Sequence, residues 1–244
     1  MEITSAKNQT YKYIKSLLTK KGRDEEKCYT VEGIKSVRDA IEAEAPIKML
    51  VISSDFEGNI AFSGEKLFVK SEIFPGLCDT KTPQGIIAVI KKAENKTDLS
   101  GKRYVYCDRI RDPGNLGTII RTADAAGFSV LLSEESCELY SPKTVRASMG
   151  SFFHTSVTEG VGYEELKMSG LHLIAGALSE ESKDYKDADY SKNVCIIIGN
   201  EANGVSDELL SLCDEKVIIP ILGKAESLNA AVAAALLMYE AVRA

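Results

Sequence analysis

The sequence is poor in the patterns that announce several familiar protein classes. It has only two histidines, His154 and His172, and its six cysteines (28, 78, 107, 137, 195 and 213) form no C-x-x-C pair. Zinc-finger and thioredoxin spacings are therefore missing, and no metal site is expected. Cys107 and Cys195 fall inside apolar, strand-like runs, which reads as reduced core thiols and hence a cytoplasmic protein. No apolar segment approaches the roughly 20 residues that a bilayer span needs. The longest uncharged stretch, Ser227 to Tyr239, has 13 residues and reads as a core helix. The start, Met-Glu-Ile-Thr-Ser-Ala-Lys-Asn, carries no apolar region of a secretory signal. With 18 Gly and 6 Pro in 244 residues, and no repeat or low-complexity tract, collagen-like, mucin-like and disordered readings drop out. Neither G-x-G-x-x-G nor a phosphate-binding P-loop occurs.

What is present is ordinary globular material, 44% apolar and 27% charged, long enough to bury a core in one or two domains. The net charge of −6 argues against a nucleic-acid partner until its distribution is considered. Residues 1–38 hold nine Lys/Arg against five Asp/Glu, a balance of +4, so the remaining chain carries −10. A basic head on an acidic body suits a polyanion gripped at the N-terminus; a solvated lysine-rich helix face is the alternative.

Along the chain, Asn8 to Lys20 reads as a helix with Tyr11, Ile14 and Leu18 on one face, broken by Lys21-Gly22-Arg23. A short strand at Tyr29–Val31, a helix from Gly33 to Ala43, and apolar runs at 49–52, 67–69 and 85–90 complete a first α/β alternation. Residues 91–103 read as a linker. The alternation then restarts, with strands expected at 104–107, 129–132, 171–175, 194–198 and 216–221, and helices near 115–127, at 142–149 (Ser141 as cap, Pro142 first) and from Ser227. Nearly continuous apolar strands separated by helices predict a mostly parallel sheet covered on both faces. The expected organisation is a small α/β domain over 1–90, the linker over 91–103, and a second α/β domain over 104–244.

Ligands of such sheets gather at the carboxyl ends of the strands. Three loops there are rich in Asn, Gly, Glu and Ser. The first, Asp108 to Ala123, offers Asn115 as a helix cap, an apolar face of Leu116, Ile119, Ile120 and Ala123, and Arg121 off that face beside Gly117 and Thr118. Arg121 either reaches back over the loop or is a plain surface arginine. The second, Ile198-Gly-Asn-Glu-Ala-Asn-Gly-Val-Ser, holds Gly199 and Glu201; a simple turn capped by Ser206 is the alternative. In the third, Ile218 to Val232, Ser227 serves as a helix cap or in the site, and Leu228, Val232, Leu236 and Tyr239 recur at helical spacing.

In this order, the three loops resemble the signature motifs of the SpoU (TrmH-like) RNA ribose 2′-O-methyltransferases of the SPOUT superfamily, over residues 104–243. The stretch Ser141-Pro-Lys-Thr-Val-Arg-Ala-Ser-Met-Gly-Ser is similar to that family as well. The head is similar, more loosely, to the family's RNA-binding domain, through Asn8, Lys12, Lys15, Lys20, Lys21, Gly22, Arg23 and Val31-Glu-Gly. The resemblance implies S-adenosylmethionine as methyl donor, a homodimer, and a trefoil knot in the second domain, which periodicity alone would not suggest. It implies catalytic positions at Asn115, Arg121, Glu201, Ser227 and Asn229. Gly199, Ile219 and Leu228 match positions that hold the cofactor, and Lys12, Lys15, Lys20, Lys21 and Arg23 form the expected RNA-binding cluster. The separate head favours 23S rRNA over tRNA as substrate. A non-catalytic RNA-binding factor on the same fold is the competing reading, against which the intact site residues argue. No His or Cys falls in the matched set, so a conventional base is missing. A guanidinium stays protonated, which favours Arg121 as orienter and alkoxide stabiliser, with Glu201 holding Arg121 or a neighbouring loop.

Overall fold

The chain forms two compact units, Met1–Glu94 with Tyr140–His154, and Asn95–Leu139 with Thr155–Ala244. The structure, a computed structural model, describes residues 2–93, 99–101 and 103–244. Of the linker expected over 91–103, residues 94–98 and 102 lie outside the described residues.

The first unit runs β1 (Glu2–Ile3), α1 (Gln9–Ser16), α2 (Lys20–Glu26), β2 (Cys28–Glu32), α3 (Ile34–Glu42), β3 (Ile47–Ser53), β4 (Lys66–Val69) and β5 (Ile86–Lys91). Its sheet has the order β1-β4-β3-β5-β2, with β5 antiparallel to both neighbours and the other pairs parallel. Tyr11, Ile14 and Leu17 pack over Met49, Val51, Leu67, Val69 and Ile87 to form the core on one face.

The single helix expected from Asn8 to Lys20 is in fact two. Asn8 caps α1, its side chain accepting from the Thr10 and Tyr11 amides, and Thr19 caps α2 through the Gly22 amide. Residues 21–23 therefore lie inside a helix rather than breaking one. The break falls at 17–19, which sends Leu17 rather than Leu18 into the core. Gly22 is required by the fold: a Cβ there would stand 2.1 Å from the Ser16 carbonyl oxygen.

The chain continues through β6 (Arg103–Cys107), α4 (Pro113–Ala126), β7 (Ser129–Leu132), α5 (Pro142–Ala147), β8 (Val157–Thr158), α6 (Tyr163–Met168), β9 (His172–Gly176), β10 (Lys183–Asp184), β11 (Val194–Ile198), α7 (Asp207–Leu212), β12 (Glu215–Ile218) and α8 (Ala230–Arg243). Helix α5 starts as read, with Ser141 as cap and Pro142 in the first position. It packs on β2 of the first unit, where the Tyr140 and Phe152 rings lie 4.9 and 5.6 Å from that of Tyr29 and Arg146 pairs with Asp79 at 2.8 Å.

The sheet of the second unit, β10-β12-β9-β11-β6-β7-β8, is parallel throughout. Its central strands β6 and β11 are buried almost end to end, as a sheet covered on both faces demands. Helix α8 begins at Ala230 rather than Ser227, and the face expected inside points outward. Ala231, Ala234, Leu237, Met238 and Ala241 are buried, whereas Val232, Leu236 and Tyr239 remain 39–51% exposed. The small alanines let α8 lie close to α4 and β11.

All six cysteines are free thiols. Burial pushes Cys107 and Cys195 well above the usual thiol range, and Cys78 and Cys213 up to about 12. None of these four ionises appreciably at neutral pH.

Candidate active site

Strand register brings the loops together. Cys107 of β6 stands opposite Ile198 of β11 and Leu132 of β7, so Asp108, Gly199 and Ser133 leave the sheet at the same level. On the far side of β11, Ala175 of β9 pairs with Ile197, and Gly176 with Val217 of β12, which starts the third loop near that level too.

The first loop ends in α4, capped by Asp112 rather than by Asn115. The Asp112 side chain accepts from the Asn115 amide at 2.9 Å, and Pro113 takes the first helical position, where no amide is needed. Leu116, Ile119, Ile120 and Ala123 are fully buried, as expected, and Gly127 closes the helix at φ 72°. Freed from capping, the Asn115 side chain joins a different structure. Its Nδ2 donates to Glu201 Oε1 at 2.9 Å, and its Oδ1 accepts from Asn229 Nδ2 at 2.9 Å. Asn229, not Ser227, caps α8, its Oδ1 accepting from the Ala231 and Val232 amides. One hydrogen-bonded chain, Glu201–Asn115–Asn229, thus ties all three loops.

Glu201 also accepts from the Arg111 amide at 3.1 Å and the Asp112 amide at 3.2 Å. Burial alone would raise its carboxyl, but the Asn115 amide group and these backbone donors outweigh that and hold it below the ordinary glutamate value. Glu201 therefore braces the first loop and makes no bond to Arg121. Arg121 is exposed and, among the described residues, its side chain has no hydrogen-bond or ion-pair partner. Ser227 is exposed and stands outside the hydrogen-bonded chain.

The second loop is closed by the Asn200 and Gly204 backbones, which bond each other at 3.0 and 2.9 Å. Sequence reasoning missed Asn200. Its Oδ1 accepts from the Ala202 and Asn203 amides and its Nδ2 donates to the Arg109 carbonyl at 2.8 Å. The Asn-x-x-Asn-Gly pattern was the available signal. A Cβ on Gly199 would stand 2.1 Å from Gly204 C and Val205 N, so this glycine is required first by the loop's own closure. In the third loop, Ile219 is half-buried and Leu228 exposed. Among the described residues, no hydrogen bond is made by the backbone of residues 221–227. Such a strip of free amides and carbonyls, flanked by exposed Ile221, Leu222 and Leu228, fits a flat heterocycle with a polar edge such as adenine.

In the first unit, Lys12, Lys15, Lys20 and Lys21 are all exposed. Arg23 is not part of that surface: it is 3% exposed and its Nη1 donates to the Leu17 carbonyl at 2.7 Å, closing the break between α1 and α2. Among the described residues, no group of His, Cys, Asp or Glu is arranged to hold a metal ion, and no helix is long and apolar enough to cross a membrane.

Residues 102–239 match the SpoU rRNA Methylase family, and residues 8–88 match the MRM3-like substrate binding domain. The chain belongs to the SpoU rRNA methylase family. It is 36% identical to a 23S rRNA (guanosine(2553)-2'-O)-methyltransferase RlmP of Bacillus subtilis, over 98% of both chains. Against the tRNA (guanosine(18)-2'-O)-methyltransferase of Escherichia coli it is 35% identical over 62% of this chain and 66% of the relative. The crystal structure of an AdoMet-bound rRNA methyltransferase from Sinorhizobium meliloti superposes with a TM-score of 0.88 and 36% identity, covering 100% of this chain and 97% of that one. The family inferred from the three loops and the α/β fold inferred from the alternation of apolar strands and helices both stand.

Proposed function

We propose that the chain methylates a ribose 2′-hydroxyl of structured RNA with S-adenosylmethionine as donor, and that 23S rRNA is the substrate. The observation that carries this reading is the Glu201–Asn115–Asn229 chain, which holds the three signature loops of a SpoU methylase around one place. When bound, the cofactor supplies an electrophilic methyl group on a sulfonium.

The protein's own residues supply alignment. The free backbone of residues 221–227, with Ile219 and Leu228 at its ends, holds the adenosine end, and Gly199 and Gly204 keep the second loop tight beside it. Arg121, bound to no carboxylate, donates to the ribose oxygen and stabilises the alkoxide as the proton passes to an RNA phosphate or to water. Asn115 and Ser227 present polar groups to the same ribose. Asn115 does so from a side chain already oriented at both ends, which lowers the entropy lost on alignment.

A relative that aligns over 98% of this chain, head included, is named a 23S rRNA methyltransferase, whereas the named tRNA methyltransferase aligns over 62%, which supports rRNA rather than tRNA. Lys12, Lys15, Lys20 and Lys21 give the first unit phosphate contacts. Val232, Leu236 and Tyr239 form an apolar stripe on α8 that a second copy of the chain covers in a homodimer. The C-terminal segment forms the trefoil knot that the resemblance implies, and the reduced thiols suit the cytoplasm.

The test is methyl transfer from labelled S-adenosylmethionine to 23S rRNA and to tRNA, with the modified nucleotide mapped in a deletion strain. Arg121→Ala should lower turnover at least about 100-fold while leaving cofactor affinity within about twofold. Near-normal turnover in that variant, or transfer to tRNA alone, overturns the assignment it tests.

A further inference from the structure

Directly beneath the second loop lies a polar cluster that the reaction itself does not use. Asp108, the first residue past β6, has a carboxylate that is wholly buried. Its Oδ1 accepts from the Tyr163 hydroxyl at 2.7 Å and from Arg109 Nε at 3.1 Å. Its Oδ2 accepts from the Ser206 amide at 3.0 Å and from Arg109 Nη2 at 3.0 Å. The Tyr163 hydroxyl in turn accepts from Ser206 Oγ at 3.0 Å. Arg109, turned into the left-handed region at φ 56°, also donates from Nη2 to the Gly204 carbonyl at 3.3 Å, and its own carbonyl accepts from Asn200. The bonds from this cluster therefore reach Asn200, Gly204 and Ser206, the two ends of the segment that carries Glu201.

A buried carboxylate is costly unless every lone pair is used, and such a group is worth keeping where it specifies one geometry. Burial first, and the neighbouring Asp108 carboxylate, hold the Tyr163 phenol above its ordinary value, so it remains a donor at neutral pH. Tyr163 comes from α6, outside the three signature loops. It carries the geometry of the second loop back to the body of the sheet through its ring, whose centroid is 6.3 Å from that of Tyr106.

We propose that Asp108 and Tyr163 are positioning residues for cofactor binding, which hold the 200–206 segment in the shape that accepts S-adenosylmethionine. The proposal rests on the reading of these loops as the cofactor site. Tyr163→Phe removes one hydroxyl and keeps the ring. It should weaken S-adenosylmethionine binding about tenfold by calorimetry, leave turnover at saturating cofactor within about threefold, and leave the KM for RNA unchanged. Ser206→Ala should weaken cofactor binding in the same direction and add little to Tyr163→Phe when combined, whereas Ser206→Thr, which keeps the hydroxyl, should restore it.

Cofactor affinity in Tyr163→Phe equal to wild type overturns the proposal. So does a parallel loss of cofactor affinity, RNA affinity and melting temperature, which is the mark of plain destabilisation. If wild-type protein fails to bind S-adenosylmethionine, the reading of the site falls and the proposal with it; if wild type binds and Tyr163→Phe binds equally, only the positioning role falls.

Discussion

Replacing Glu201 by glutamine keeps the size of the side chain and removes the charge and one acceptor from the place where the loops meet. The carboxylate takes three donors, Asn115 Nδ2 and the Asp112 amide on Oε1 and the Arg111 amide on Oε2. A glutamine has a single carbonyl oxygen, so its own amide group turns toward one of these donors and at least one bond is lost. An unsatisfied donor costs ~1–3 kcal/mol when buried. Glu201 is exposed, and water brings the loss down to ~1 kcal/mol, about fivefold in an equilibrium. Glu201→Gln should therefore bind S-adenosylmethionine about fivefold more weakly by calorimetry and melt ~2–4 °C lower.

The pH dependence has a definite sign. The folded carboxyl lies below its ordinary value of 4.5, so its stabilisation is present above 4.5 and is lost as pH falls through the lowered folded value. Wild type and variant should thus converge in melting temperature as the solution is taken into that acid range. Asn115→Ala removes one of the same donors, and the two changes should couple by ~0.5 kcal/mol or more in a double-mutant cycle. Additive effects, or a Glu201→Gln protein with unchanged affinity and unchanged melting, would refute the bracing role.

The remaining predictions follow from other parts of the molecule. Gly199→Ala drives a Cβ into the Gly204–Val205 backbone and should cost ~1–3 kcal/mol in chemical denaturation, with cofactor affinity falling alongside. Replacing Lys12, Lys15, Lys20 and Lys21 by Gln should weaken RNA binding for all sequences and flatten the slope of log affinity against log salt by ~0.7–0.9 for each lost contact; an unchanged slope would make these lysines a solvated face. Arg23→Met strands the buried Leu17 carbonyl and should lower the melting temperature without changing that salt slope, a separation that equal slopes of the variant and wild type would establish. The proposed homodimer predicts that wild type sediments as a dimer and Leu236→Asp, on the exposed stripe of α8, as a monomer.

The longer strands were legible because each is a short apolar run between polar turns, and β6 and β11 were placed to within a residue; β1, β8 and β10, two residues each, were not anticipated, too short to show a pattern. Helix starts were harder. Asn115, Ser227 and Asn229 are all good capping residues, and choosing among them depends on which side chain another loop claims. Asn115 is claimed by Glu201, and Asp112 with Pro113 behind it takes the cap. The same limit applied to α8, where an apolar repeat at helical spacing marks a helix but not which of its two faces meets the core. The alanine face won because only small side chains allow that closeness to α4 and β11. Arg23 looked like one more basic residue in a basic head. Its burial follows from the break after Ser16, which leaves a carbonyl that needs a donor.

The packing of Tyr140–His154 on the first unit bears on how the protein is made. Tyr29 is covered by Tyr140 and Phe152, which emerge from the ribosome only after about fifty residues of the second unit have been synthesised. At ordinary elongation rates the interval between residues 94 and 154 lasts about 3–12 s. Throughout it the first unit has all its strands but lacks this aromatic cover, and the second has at most β6 and β7 of its sheet, with α4. Neither unit can finish before the other has begun. A nascent chain stalled near residue 120 should therefore expose Tyr29 to proteases and chaperones, while one stalled past residue 190, with the segment clear of the exit tunnel, should have sealed it.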